Sequence, residues 1–326
     1  MNYLKLILTA ILSFILTVIC VPLVIGITKK EKANQPILQY VEQHKSKSGT
    51  PTMGGIGFIL PAVLTAIVFT NGLSTGKVAA IVTLVYSLLG FLDDFLKIKR
   101  KDNGGLTPIQ KIIGQTAVAL IMGWYCYRNS ALSTLRFPFT DFSVDLNYWI
   151  IPIVAFVFIA LTNGVNLTDG LDCLASTVSS VFFVCFTIII GYLVIIGRAE
   201  EDMLVFTIAI LFAVLGFIIY NSSPAKIFMG DTGSLALGGA VATTGAFSGN
   251  LFITAIIGIT FVISCITVII QVVVFKIKKK RVFLMAPFHH HLEKKGWSEP
   301  SIVALYSAIT AVFGIVAIYS VIAFQK

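Results

Sequence analysis

The sequence predicts an all-α polytopic membrane protein of ten transmembrane helices, and three observations carry that prediction. Hydrophobic residues make up 57% of the 326, above the roughly 45–50% that soluble domains reach even with glycine included. Charged residues are 12%, about half the usual ~25%, too few to cover a chain of this size in water. Mean hydropathy is +0.93, and the apolar residues run the length of the chain, which excludes disorder and a soluble domain on a single anchor. Residues 1–326 therefore read as one integral membrane domain.

A hydrocarbon core of ~30 Å needs about 20 apolar residues as helix. Ten segments approach that length: 3–27, 54–69, 77–95, 108–127, 148–161, 174–196, 203–220, 234–247, 251–275 and 300–324. The first has Lys5 ahead of its apolar stretch, as a signal peptide would. It exceeds an ordinary signal core, however, and lacks a small-x-small cleavage site, so a retained helix is expected.

Ten spans create two sets of loops, and 18 of the 24 Lys and Arg fall in one set. The other set, with both termini, keeps only Lys5, Lys77, Arg128, Arg136, Arg198 and Lys326. The excess of cations marks the first set as cytoplasmic and puts both termini outside. The net charge of +9 thus reports topology, and no nucleic-acid partner is implied. The outer stretch 128–147 alternates around Leu135 to Leu146 with the period of strands, which predicts a small β-hairpin at the outer interface. The five cysteines are scattered without a CxxC spacing and read as small core residues.

Chemically unusual residues collect on the cytoplasmic side, where ten of the 15 acids lie, five of them at helix ends: Asp93, Asp94, Asp169, Asp172 and Asp231. An ionisable group at membrane depth is costly and marks function by default. Asp93 and Asp94 end the third helix. Adjacent helical residues point ~100° apart, so one is expected to face the bundle and the other solvent or a lysine. In Asn163-Gly-Val-Asn166-Leu-Thr168-Asp169-Gly170-Leu171-Asp172 several polar side chains surround a glycine where a new helix is expected to start, with Asp169 and Asp172 on one face and free N–H groups that favour anions. A plain N-cap would explain Thr168 or Asp169 but not Asn163, Asn166 and Asp172.

Asn221 to Ser234 again sets an acid, Asp231, between glycines at a helix start, with Phe228 before it. A carboxylate beside backbone N–H groups suits magnesium bridging to a diphosphate; the plain alternative is an N-cap. Phe228 is either a core residue or a plate for a base. Lys47-Ser-Gly-Thr50-Pro-Thr52-Met-Gly-Gly55 lacks the P-loop pattern and is either a tightly packed helix start or a phosphate cradle with Lys47 as countercharge. The run Lys276 to Arg281 reads as a membrane-face anchor with a secondary role toward anionic lipid. His289-His290-His291 cannot converge on one zinc ion and are either solvated or donors near phosphate.

In this order and combination, GTPTMGG, LDDFLK, NxxNLTDGLD, FMGDTGS and MAPFHHHLEKKGW resemble the phospho-N-acetylmuramoyl-pentapeptide-transferase family, within the polyprenyl-phosphate N-acetylhexosamine-1-phosphate transferase superfamily. The aspartate motifs are common to the superfamily; the GTPTMGG and APFHHH stretches resemble the muramoyl-pentapeptide branch. The resemblance implies a bacterial cytoplasmic-membrane enzyme, its site toward the cytoplasm, that moves phospho-MurNAc-pentapeptide from UDP-MurNAc-pentapeptide to undecaprenyl phosphate, giving lipid I and UMP. It further implies a magnesium requirement, contact with membrane lipids and a homodimer. Transferred residue by residue, it implies that Asp231 binds magnesium, Asp93 deprotonates or orients the lipid phosphate and Asp94 positions it or nearby cations. Lys47, Lys111 and His290 would balance phosphate charge. Asn166, Asp169, Gly170, Leu171, Asp172, Asn221 and Phe228 would form the uridine and sugar region, with Thr52, His289 and His291 as further substrate contacts.

Two other readings stay in view. A sister enzyme using UDP-GlcNAc would share the aspartate motifs. A secondary transporter or flippase would also carry intramembrane acids, but it calls for binding at the midplane and for repeats, whereas these acids sit at helix ends and no inverted repeat is present.

Overall fold

The computed structural model describes residues 1–30, 49–100 and 104–325. Lys47 lies outside the described residues, as do Lys32, Lys45 and Lys101 of the basic loops. The helices are α1 (Tyr3–Lys30), α2 (Gly55–Phe69), α3 (Thr75–Arg100), α4 (Pro108–Arg128), α5 (Ile150–Thr168), α6 (Leu174–Ile195), α7 (Glu201–Asn221), α8 (Gly230–Phe247), α9 (Leu251–Ile257), α10 (Ile259–Lys278), α11 (Phe288–Lys294) and α12 (Glu299–Phe324). Strands β1 (Thr134–Arg136) and β2 (Ser143–Asp145) form an antiparallel pair, with Leu135 opposite Val144.

Each of the ten apolar segments forms helix. Seven helices among the described residues are long and apolar enough to cross a membrane, and Gly55–Phe69 is a shorter apolar one, which makes the chain an all-α polytopic membrane protein. The remaining two differ for physical reasons. Helix α4 carries Gln110, Lys111 and Gln115 in its first half. Helix α8 is rich in Gly, Ala, Ser and Thr and is buried along nearly its whole length, so it presents no face that must be apolar toward lipid.

The ninth segment departs from the expected continuous span. It breaks at Gly258 into α9 and α10, yet the Gly258 amide still donates to the Thr254 carbonyl at 2.8 Å. The histidine stretch forms the extra short helix α11. Helix α5 runs to Thr168, seven residues past the predicted boundary, and the next helix starts only at Leu174 behind Cys173. Asp169 and Asp172 therefore sit in a tight connection, not on one face of a new helix.

Helix α8 is the hub. A Cβ added at Gly90 of α3 would run into the Asp231 carbonyl, so only glycine lets α3 cross the first turn of α8 at backbone contact. The 51–55 segment pairs with the 228–229 segment: Phe228 N donates to Pro51 O at 2.8 Å, Gly54 N to Phe228 O at 2.9 Å and Gly55 N to Met229 O at 2.9 Å. This fixes the start of α8 from the opposite side. Helix α4 begins with a capping box between Thr107 and Gln110 and has Pro108 in its first turn. At the other end of the bundle, Glu200 accepts from Thr75 N and Oγ1 at 2.8 and 2.7 Å, and Asp202 pairs with Lys5 at 2.8 Å, tying α1, α3 and α7 together. The hairpin docks at that same end through Phe139 N, which donates to Ser320 Oγ of α12 at 2.8 Å.

Candidate active site

Four elements bring polar groups to one end of the bundle: charge from the last turns of α3 and the first turns of α4 and α8, and the neutral Asn166 from the last turn of α5. Asp93, Asp94 and Asp231 each offer an oxygen within 4.8 Å of the others. Two lysines close on them. Lys97 Nζ lies 2.5 Å from Asp93 Oδ2 and 2.9 Å from Asp231 Oδ2; Lys111 Nζ lies 2.7 Å from Asp231 Oδ2 and 3.2 Å from Asp93 Oδ2. Three carboxyl groups face two ammonium groups beside the positive end of α8.

The two adjacent aspartates are both buried, at 1% and 4% exposure; of the two alternatives for the second carboxylate, solvent or a neighbouring lysine, Asp93 takes the lysine, Lys97 one turn on. The reason for the burial is tertiary. The chain after α3 folds back so that Leu106 N donates to Asp93 Oδ1 at 2.8 Å. Asp94 accepts from Asp231 N at 3.2 Å and from Thr232 N and Oγ1 at 2.9 and 2.7 Å. Asp94 thus caps α8 from another helix, and Asp231 is not a plain N-cap: its carboxylate points to the lysines and to Asn166, whose Nδ2 donates at 2.6 Å.

A hard divalent cation fits this donor set on two observations: the three converging carboxylates, and Thr52. The Thr52 hydroxyl is buried without a hydrogen-bond partner among the described residues. A Cβ at Gly230, whose φ is +71°, would meet both Asp94 Oδ2, at 2.6 Å, and Thr52 Oγ1, at 2.9 Å, so the backbone there must be bare for these oxygens to gather.

Other sequence-predicted residues take different posts. Asn166 also donates to Ser234 Oγ at 2.8 Å and so orients Asp231. Asn221 is buried, accepting from Ser176 Oγ of α6 at 2.7 Å and donating to Ile227 O at 3.0 Å, so it ties the 222–228 loop to α6. Asp172 accepts from Ala225 N at 3.0 Å and pins the same loop. Leu171 is core, and Phe228 is half-buried beside the cluster segment.

The three consecutive histidines are not equivalent: His289 is buried, whereas His290 and His291 are partly exposed. His289 is fully buried with neither ring nitrogen bonded among the described residues, and burial, with His290 beside it, holds its imidazole well below the usual range, hence neutral at pH 7. Nδ1 of His290 lies 2.9 Å from Glu293 Oε2. A Cβ on Gly170 would strike the rings of both His289 and His290, so α11 closes over the α5–α6 connection. His291 turns away and accepts from Leu284 N at 3.1 Å.

Lys97 escaped the sequence reading as a site residue. Its position four residues after Asp93, the favourable acid-to-base spacing on a helix, was the available signal.

Burial, with Asp231, Asp94 and Asp172 nearby, pushes the Asp169 carboxyl up to about 8. Unfolded aspartate titrates near ~3.9, so between these values the folded chain holds a proton that the unfolded chain has released, and stability falls as pH rises through that window. Thermal unfolding in detergent at pH 5 and pH 8 is expected to show a drop for the wild type that Asp169→Asn reduces. Equal drops in both would contradict this placement of the carboxyl.

Residues 77–249, from the start of α3 to just past α8, match the family described as Glycosyl transferase family 4. The chain is 42% identical over 319 residues to the phospho-N-acetylmuramoyl-pentapeptide-transferase of Geobacillus sp. (strain WCH70), covering 96% of this chain and 97% of that one. It is 41% identical over 317 residues to that of Bacillus subtilis (strain 168), covering 95% and 96%, and 43% identical over 313 residues to that of Geobacillus kaustophilus (strain HTA426), covering 94% and 95%. Likeness of this extent, with the carboxylate cluster inside the matched core, makes the chain a member of the phospho-N-acetylmuramoyl-pentapeptide-transferase family.

Proposed function

We propose that this protein transfers phospho-MurNAc-pentapeptide from UDP-MurNAc-pentapeptide to undecaprenyl phosphate, forming lipid I and UMP in a bacterial cytoplasmic membrane. The observation that carries this reading is the convergence of Asp93, Asp94 and Asp231 with Lys97 and Lys111 at one end of a membrane bundle in a chain of this family. The chain crosses the membrane ten times as one domain with both termini outside, and the cluster faces the cytoplasm, as the bias of cations toward that side supports.

In the reaction, an oxygen of the lipid phosphate bonds to the sugar-bearing phosphorus, and the bond from that phosphorus to the bridging oxygen breaks, leaving with UMP. Two phosphate groups must approach each other, so the chief demand is charge neutralisation. Lys97 and Lys111 meet it from α3 and α4, joined by Lys47 and by His290 across the α5–α6 connection. Asp231, oriented by Asn166, is the residue that would hold magnesium, with Asp93 and the Thr52 hydroxyl nearby. Magnesium supplies positive charge to the diphosphate and its leaving oxygen. Asp93 orients the lipid phosphate, which is already anionic near neutrality and needs little help from a base. Asp94 is a positioning residue, holding the first turn of α8. Asp169, Gly170, Leu171, Asp172, Asn221 and Phe228 form or support the uridine and sugar region, with His289 shaping its wall and His291 acting from behind it by holding the Leu284 segment.

In detergent, UMP release from UDP-MurNAc-pentapeptide is expected to require both undecaprenyl phosphate and magnesium, and to stop with EDTA and return with added magnesium. Release without a lipid acceptor, or undiminished by chelation, would overturn the assignment.

A further inference from the structure

At the end of the bundle opposite the carboxylates, a pocket of about 100 Å³ is lined by Arg136, Thr140, Asp141, Phe142, Arg198 and Gln325. Arg136 stands on β1, Arg198 in the turn between α6 and α7, and Gln325 just past α12, so three separate parts of the chain build it. Among the described residues, neither guanidinium makes a hydrogen bond or an ion pair, although each has five N–H donors. They are close enough that burial, and then the charge of Arg198, lower the Arg136 pKa. Two cations held together without a partner carry a repulsion that an anion between them would remove.

Charge and surroundings narrow the ligand. Asp141 lies beyond ion-pair distance from both arginines but lines the same pocket, so the pocket carries a net charge of +1 and is matched by a monoanion. The Gln325 amide is buried; its Nε2 donates to Asn250 at 2.8 Å, while Oε1 accepts from nothing among the described residues, an unfilled acceptor for a hydroxyl. Phe142 of the pocket, Tyr148 and Trp149 before α5 and Tyr319 near the end of α12 share this end of the bundle and are exposed at 58–62%, the aromatic belt of a membrane–water interface. Such a belt places the pocket at the depth of lipid headgroups.

We propose that Arg136 and Arg198 form a binding site for the phosphodiester of an anionic, hydroxyl-bearing glycerophospholipid, on the face opposite the carboxylate cluster. The phosphate sits between the guanidinium groups, a headgroup hydroxyl donates to Gln325, and the acyl chains run down the lipid-facing side of the helices. The arrangement ties the hairpin and the turn between α6 and α7 to the bilayer.

The test uses the full chain, delipidated in detergent, and native mass spectrometry with three probes: short-chain phosphatidylglycerol, short-chain phosphatidylcholine and inorganic phosphate. Phosphatidylglycerol is expected to bind the wild type roughly 30-fold tighter than the Arg136→Gln/Arg198→Gln variant, on the scale of two interfacial arginines. Asp141→Asn, which raises the pocket charge, is expected to tighten it. Unchanged UMP release reports that the variants are folded, and should the double variant fail to fold, the Asp141→Asn arm alone decides. Equal phosphatidylglycerol affinity in all three proteins overturns the site. Phosphatidylcholine binding as tightly as phosphatidylglycerol overturns the charge argument, and inorganic phosphate binding as tightly overturns the lipid as source.

Discussion

Asp231→Asn is expected to lower turnover by about 10³-fold, the scale of losing a group that organises transition-state charge, while the protein stays folded in detergent. The substitution keeps the size of the side chain and removes the one carboxylate that both Lys97 and Lys111 share with Asp93. Folding survives because Asp93 still pairs with both lysines, Asp94 still caps α8, and Asn166 can turn its amide to present oxygen to the new Nδ2. The chemistry does not survive, because the hard anionic ligand is gone and two ammonium groups are left to one carboxylate. The check is UMP release beside a thermal unfolding curve. Near-normal turnover in a folded variant would remove Asp231 from the reaction.

Gly90→Val is expected to be as damaging by a different route. The branched side chain would have to occupy the space of the Asp231 carbonyl, and overpacking of this kind costs about 1–3 kcal/mol. Relief requires α3 and α8 to separate, which moves Asp93 and Asp94 away from Asp231. The expected result is a lower unfolding temperature together with loss of turnover, and magnesium is not expected to rescue it. A variant with the stability and activity of the wild type would show that the close crossing does not position the carboxylates.

Much of the architecture is legible from hydropathy because lipid imposes one rule on every exposed helix face, and all ten apolar segments are helical. Gly258 shows the limit of that rule: an apolar run tolerates a break when the neighbouring amides still find partners, and composition does not record it. The site divides in the same way. Asp93, Asp94 and Asp231 stand out in sequence because charge at a membrane-helix end is costly, Lys111 enters through the family resemblance, and the structure brings all four together. What each of them touches was not legible. Helical geometry alone separates Asp93 from Asp94 by ~100°, and only the return of Leu106 and the arrival of the first turn of α8 bury both. Asn166 and Asn221 look alike in sequence. One aims Asp231 and the other closes a loop on Ile227, a difference set by partners 65 and six residues away.

The account stands most directly on one measurement: UMP release by the purified full chain given undecaprenyl phosphate, magnesium and either UDP-MurNAc-pentapeptide or UDP-GlcNAc. It predicts release with the muramoyl substrate alone, together with a lipid-linked product in equal amount. Release with UDP-GlcNAc alone, or none with either from a folded protein, would contradict it.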